Sequence, residues 1–393
     1  MPSEQLKVVV ADTTSTFAPL VAPLFVVGGD VIHKALAQCT RDTDDPRDVA
    51  FGFGWLQYAI SSLLPVVSGQ RKVLPAPEIH DMQVMNMNAG HARINHSWVL
   101  SRLLRDLEKQ VDSKSGKVGG LSVTVIDTME DPRKKMGKKE QYQYLGFPVD
   151  QVTFIPQLII AMMSGDPLML ALIVALAVVL SSTTQKLPVW KKEKFAARHN
   201  ANDVYALMRG NGHRHVFIIR NKSAAAWNLE DLAAASINDY DWYNWEGAAT
   251  VGLAIGWFVL SALACSMKEH AGYLLAIMAV GHIGNMYTAF YPRPSAYHGF
   301  HFDMANKQTF DNSKVMVTLK ELETGHEGYG QKLLNTFFPG GLWEEDKAWW
   351  SDRKEKNKKD DSEKTVLEQE EKDDSEKTVI KQEKKGDGFE IVG

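Results

Sequence analysis

Two polar residues stand one helical turn apart inside the apolar run Ala271–Tyr291: His282 and Asn285. An ionisable group at membrane depth is costly, so such a pair is a candidate for moving a proton or a polar substrate through a helix bundle. The plainer reading is interhelical hydrogen bonding, which polar side chains supply routinely, and the sequence leans that way. Asp30, in the stretch Thr16–Gln38, and Gln157, in Phe147–Met163, are the other polar groups able to line such a path. Asp30 also lies close enough to an end of its segment to be solvated.

A second chemistry is metal binding. His199, His213 and His215 occur with Asn202 and Asp203 in one water-facing segment, and three histidines with a carboxylate can hold a transition metal. Their spacing fits no specific zinc pattern, and Arg209–His215 (RGNGHRH) also reads as a basic turn feeding a strand. His298 and His301 carry the same double reading. No GxSxG, HExxH, Walker A or dinucleotide GxGxxG arrangement occurs in a credible strand–turn–helix setting, which argues against a standard enzyme. No cofactor is indicated. Only Cys39 and Cys265 are present. That excludes a disulfide scaffold and a zinc module built on CxxC pairs. A bridge between the two is the alternative to two free thiols.

The elements that must position these residues come from hydropathy. Over 393 residues the mean hydropathy is -0.23, a soluble-looking average that hides apolar blocks set beside charged ones. The net charge of -4 gives no reason to expect nucleic acid as a partner. Gly247–Met267 is apolar over about the length that crosses a ~30 Å hydrocarbon core, and Pro167–Ser182 is nearly pure aliphatic but a little short alone. Ala50–Ser68 and Ala271–Tyr291 are good spans with one or two polar residues each. Residues 16–38 and 147–163, interrupted by prolines and polar groups, are kinked spans, or re-entrant or interfacial helices. The expected fold is therefore mainly α: a polytopic helical membrane protein of five or six spans with a small cytosolic α+β portion. The N-terminus lacks a basic start leading into an apolar core, so the first apolar helix is expected to act as an uncleaved anchor.

Paired as hairpins, the spans divide the chain into 1–68, a loop 69–146, a hairpin 147–182, a loop 183–246, a hairpin 247–291, a segment 292–350 and a tail 351–393. Short turns, Cys39–Val49 among them, then face one side and every long connection the other. Lys and Arg cluster near the long connections, which places those and both termini in the cytosol. A five-span version would split the two long loops between sides. Ala248, Gly252 and Gly256 form a small-residue row for close helix packing. The aromatic stretch Asp239–Trp245 reads as an interfacial anchor. Arg133, Lys134, Lys135, Lys138 and Lys139, in the loop 133–139, can attract anionic lipid or simply be solvated.

In the long connections, Ser97–Val111 is an amphipathic helix, Gly119–Asp127 and His215–Arg220 are strands, and Asn228 starts a helix with Glu230 and Asp231 in its first turn. Lys314–Lys320 is a strand or the start of a helix. These pieces are expected to assemble one α+β layer. From Lys354 the composition cannot bury enough apolar surface to fold, and KDDSEKTVLEQEE from Lys359 recurs as KDDSEKTVIKQEK from Lys372. Asn95 and Asn221 head the sequons NHS and NKS, and a cytosolic placement predicts that neither carries glycan.

Asn95–Glu108 (NHSWVLSRLLRDLE), Arg209–Ile219 (RGNGHRHVFII), Asn228–Ala233 (NLEDLA) and Gly328–Gly341 (GYGQKLLNTFFPGG) resemble a group of uncharacterised multi-pass membrane proteins of filamentous fungi. The resemblance covers about residues 50 to 345. It implies a fungal source and a eukaryotic membrane, plasma membrane or endomembrane, and no activity. The leading expectation is a membrane scaffold or accessory protein. A transporter or channel subunit using His282, Asn285, Asp30 and Gln157, and a membrane metalloenzyme using His199, His213 and His215, are the alternatives.

Overall fold

A computed structural model describes residues 16–40, 49–68, 72–112, 119–129, 149–164, 166–235 and 245–355. The basic loop 133–139, the turn 41–48, the aromatic stretch 239–244 and the repeat-bearing tail lie outside the described residues. The protein is mainly helical with one small mixed sheet. It divides into two compact units, one ending at Asp311 and one beginning at Asn312.

The helices of the first unit are α1 (Ala18–Val26), α2 (Gly29–Cys39), α3 (Trp55–Ser68), α4 (Trp98–Asp112), α5 (Val149–Met163), α6 (Pro167–Gln185), α7 (Pro188–Lys194), α8 (Leu229–Ala234), α9 (Trp245–Ser266) and α10 (Ala271–Phe290). Three are long and apolar enough to cross a membrane: α6, α9 and α10 with its preceding turn. A fourth results if α1 and α2, bent by 52° at Val27–Gly28, count as one broken span. This is fewer than the five or six expected. The missing ones are α3, with 14 residues, and α5, with 15. At ~1.5 Å per residue each reaches only about 21–23 Å, short of a ~30 Å core.

The sequence places the short turn of the first hairpin on the side opposite the long connections; in the structure the C-terminal end of α2 meets residues of the segment 183–246. Lys194 Nζ donates to the carbonyls of Ala37 at 2.7 Å and Thr40 at 2.6 Å, a cation on the terminal carbonyls of a helix. The chain then runs inward as the extended segment 49–53. It turns at Gly54 and Trp55, where the Trp55 indole stacks on Trp257 with centroids 4.1 Å apart. It comes back through α3 to Val73 and Leu74, whose N–H groups donate to Glu193 Oε2 at 2.5 and 3.0 Å. Adjacent residues of α7 thus hold both ends of the excursion. Lys192, the next residue back, pairs with Glu246 at the start of α9. Trp257 lies eleven residues further along α9, a depth of ~16 Å. Residues 49–68 enter the bundle and return on the same side.

Beside the apolar helices lies a layer built on a sheet of order β2-β1-β4-β5-β3-β6, with strands β1 (Gln83–Asn86), β2 (His91–Ile94), β3 (Leu121–Asp127), β4 (Val204–Met208), β5 (His215–Arg220) and β6 (Gln308–Asn312). β3 and β5 pair in parallel with Val123 opposite Val216 and Val125 opposite Ile218. β1–β2, β1–β4 and β4–β5 are antiparallel. The β-branched runs of β3 and β5 are buried on both faces, as continuous apolar strands must be. Strands expected at Gly119–Asp127 and His215–Arg220 are present, as are helix Trp98–Asp112 and the Asn228 cap, whose side chain accepts from the N–H groups of Glu230 and Asp231. One apolar core runs through helices and sheet alike, from Phe51 and Trp257 to Leu104, Leu207 and Phe217.

The second unit comprises α11 (Val315–Gly325), α12 (Tyr329–Phe337) and a further helical stretch over 344–355. Lys314–Lys320 starts a helix here. Buried Glu323 accepts from the N–H groups of Gly328 and Gln331 at the start of α12, at 2.8 and 3.0 Å.

Candidate functional site

Three of the four polar residues proposed for a transport path come together, and a run of glycines explains how. Gly281 of α10 gives the inward segment its seat: a Cβ there would stand 1.8 Å from the Phe51 carbonyl oxygen. Gly52 packs against the backbone of His282, and Gly54, at φ +87, abuts Gly28 so closely that a Cβ would lie 2.3 Å from its carbonyl carbon. Extended backbone inside an apolar bundle needs partners for its N–H and C=O groups. Asn285 supplies two, accepting from Ala50 N–H at 2.9 Å and donating to Ala50 O at 2.8 Å. Gln157 Nε2 donates to Phe51 O at 2.7 Å and to Ile277 O at 3.0 Å, tying α5, α10 and the segment together. Trp55 Nε1 adds a bond to Ala50 O at 3.0 Å. Gln57 accepts from Gly29 N–H at the start of α2, and Gly54 N–H reaches Leu24 O.

His282 is half-buried beside the Phe53 ring, with centroids 5.2 Å apart, and bonds to the Phe53 backbone. Asp30 does not join the group. It is exposed in the first turn of α2 and pairs with Lys34 at 2.8 Å. The amides Asn285, Gln157 and Gln57 were visible in the sequence as polar residues in apolar runs. That they serve main chain rather than each other was not, because the inward segment reads as part of a span.

A second polar cluster lies where α4 meets the end of α10, and sequence reasoning missed it. Glu78 binds Arg102 Nη1 at 2.9 Å and Arg105 Nη1 at 3.0 Å. Arg105 also binds Asp106, and Asp106 accepts from Arg293 N–H at 2.9 Å and lies 3.3 Å from His298 Nε2. Arg102 and His298 are fully buried. Burial pushes His298 down to about 4, so its ring is neutral near pH 7. Burial opposes ionisation of Asp106, but His298, Arg105 and the Arg293 N–H together hold its carboxyl below the ordinary value. Nε2 of neutral His298 therefore carries the proton and donates to the carboxylate. Arg102 and Asp106 are four apart on a helix, a spacing that reads as a surface pair. Packing of α4 between layer and bundle buries them.

The histidines proposed for metal do not converge. His199 lies on the Trp227 ring, with centroids 3.9 Å apart, and its Nδ1 faces Ala225 O. His213 pairs with Asp81 at 3.0 Å in a half-exposed position, while His215 is buried on β5 near Phe217. Asp203 bonds to Asn200, Tyr205 and Asn88, and Asn202 sits at φ 69 in the turn before β4. Among the described residues no group of three His, Cys, Asp or Glu is placed to hold a metal ion. His301, with Trp227, Asn221, Thr128 and Phe300, borders a cavity of about 20 Å³, room for about one water.

Cys39 and Cys265 are not joined in a disulfide. Cys39 adjoins Thr40 on Lys194, whereas Cys265 ends α9, about 28 Å of helix away from Glu246. In the small-residue row, Gly256 faces Leu180 of α6, while Gly252 opens on empty space and Ala248 is exposed. No protein-family description, curated protein or solved structure matches the chain.

Proposed function

We propose that the chain is a multi-pass membrane protein acting as a scaffold or accessory component, with its sheet layer in the cytosol. One observation carries the reading: the polar groups at the heart of the bundle bind main chain. Asn285, Gln157 and Gln57 satisfy the broken backbone at residues 29, 50 and 51, leaving a stapled junction in place of a polar path. Non-helical backbone is tolerated at membrane depth when protein groups satisfy it in this way.

The orientation rests on two supports. Lys and Arg flank the long connections. Both sequon asparagines are buried with their amide nitrogens engaged: Asn95 donates to Ser97 O, and Asn221 to the carbonyls of Asn200 and Trp227. A glycan on either Nδ2 would displace those bonds, which supports a placement of the layer on the side that lacks the glycosyl transferase. The resemblance to fungal multi-pass proteins agrees with a eukaryotic membrane.

A transporter is the second reading, because α2 and α3 both start at mid-bundle, as half-helices do around substrate sites. Purified protein reconstituted in liposomes separates the two. The scaffold reading expects an imposed pH gradient or membrane potential to decay no faster than in empty liposomes. A protein-dependent leak abolished by His282→Leu, in a variant that still folds, would overturn it. A mass shift of the native chain on endoglycosidase treatment would overturn the orientation.

A further inference from the structure

We propose that Glu193 and Lys194 form a two-part latch on the re-entrant segment, and that Glu193 is a proton-operated release for its exit end. The geometry supplies the latch. Lys194 Nζ grips the entry through Ala37 O and Thr40 O, and Glu193 Oε2 grips the exit through the N–H groups of Val73 and Leu74. The two residues are adjacent on a short helix, so they fix entry and exit at one level. Between the grips the chain reaches ~16 Å inward and back. The deep end is held separately by Asn285 and Gln157, so release of the exit frees residues 72–74 and leaves the mid-bundle junction intact.

Glu193 is buried and receives two main-chain donors but faces little positive charge. Lys72, just before Val73, is the cation that acts on it. From α2, His33 reaches the Val73 carbonyl through Nε2 at 2.5 Å, and the Asp30–Lys34 pair lies on that same helix. On its own helix, Lys192 is committed to Glu246 of α9 and Lys194 to the entry carbonyls. Burial therefore dominates and raises the Glu193 carboxyl to about 7 from an ordinary 4.5. Once the exit opens, the carboxyl is hydrated and returns toward its ordinary value. The closed state then holds the proton more tightly than the open one, so acid favours closure and rising pH favours opening. Between pH 6 and 8 the opening equilibrium grows about tenfold by this linkage.

Hydrogen exchange of the Val73 and Leu74 amides, on the full chain in lipid nanodiscs at pH 6 and 8 and corrected for intrinsic rates, tests the latch. The expected result is about tenfold lower protection at pH 8. Glu193→Gln keeps a neutral acceptor for both N–H groups and should remove the pH dependence, while His33→Gln should leave it in place. Wild-type protection that is flat between pH 6 and 8 would overturn the proposal, whatever the variants do. So would a Glu193→Gln protein that folds and keeps the full dependence.

Discussion

The closest packing in the bundle predicts opposite outcomes for one substitution at two glycines. In Gly281→Ala the new Cβ would stand 1.8 Å from Phe51 O, whereas real contacts essentially never fall below 3.0 Å. The carbonyl must retreat by about 1.2 Å, the difference between those two distances. That breaks its 2.7 Å bond from Gln157 and leaves a buried carbonyl and a buried amide N–H unsatisfied. Each costs ~1–3 kcal/mol, against ~1 kcal/mol gained in helix propensity, for a net loss of about 1–5 kcal/mol. Gly252→Ala, on α9, meets nothing within 4 Å and keeps the propensity gain, a stabilisation of ~1 kcal/mol at most. Unfolding of both variants in mixed detergent, followed by tryptophan fluorescence, reads the difference. A Gly281→Ala protein as stable as wild type would refute the re-entrant placement of residues 49–54, because a full span would leave α10 free of that carbonyl.

Three further outcomes are expected. Asn285→Ala strands the Ala50 N–H, while Ala50 O keeps Trp55 Nε1. It should cost about 2–3 kcal/mol in the same assay, and Asn285→Leu should not recover it. Arg102→Leu removes one of two guanidiniums on Glu78. It should destabilise by less than the ~3–5 kcal/mol typical of a buried pair losing its only partner, and near-complete loss of folded protein would refute the shared arrangement. Glu323→Ala removes the acceptor at the start of α12 and should cost ~1 kcal/mol, seen as faster hydrogen exchange at Gly328 and Gln331.

Local rules carried the elements of the sheet layer. Bounding glycines and β-branched residues mark Leu121–Asp127, and the Asn228 cap with Glu230 and Asp231 marks α8, because those signals act within a few residues. The first inward segment was beyond such rules. Ala50–Ser68 has the hydropathy of a span, and only contacts 100 residues or more distant in sequence, Gln157 and Asn285 with residues 50 and 51, reveal that it turns back. The same distance effect hid the Arg102–Asp106 cluster, since an amphipathic pattern says which face is polar but not whether another element covers it. The short strands β1, β2, β4 and β6 lack a long alternating run and take their conformation from pairing. The histidines considered for metal lie apart for a related reason. His213 and His215 share a strand-like spacing, but His213 precedes β5 and turns to Asp81.

Two groups outside the apolar helices, His298 and Glu193, are displaced into the range between pH 4 and 7; they act in opposite directions on stability against pH, and their windows overlap. His298 holds about 4 when folded against an ordinary 6.5. The unfolded chain binds that proton first, so folding loses stability as pH falls from 6.5 toward 4. Glu193 holds about 7 when folded against 4.5. There the folded state binds the proton first, so stability rises as pH falls from 7 toward 4.5. At ~1.4 kcal/mol per pH unit each swing is on the order of 3 kcal/mol. They nearly cancel, and wild type should unfold at almost the same denaturant concentration at pH 7 and pH 5. Removing either group exposes the other. His298→Gln retains an N–H donor for Asp106 and should be more stable at pH 5 than at pH 7, whereas Glu193→Gln should be less stable at pH 5. If both variants shift in the same direction, the cancellation is wrong and the acid response of the fold between pH 7 and 5 lies in other groups.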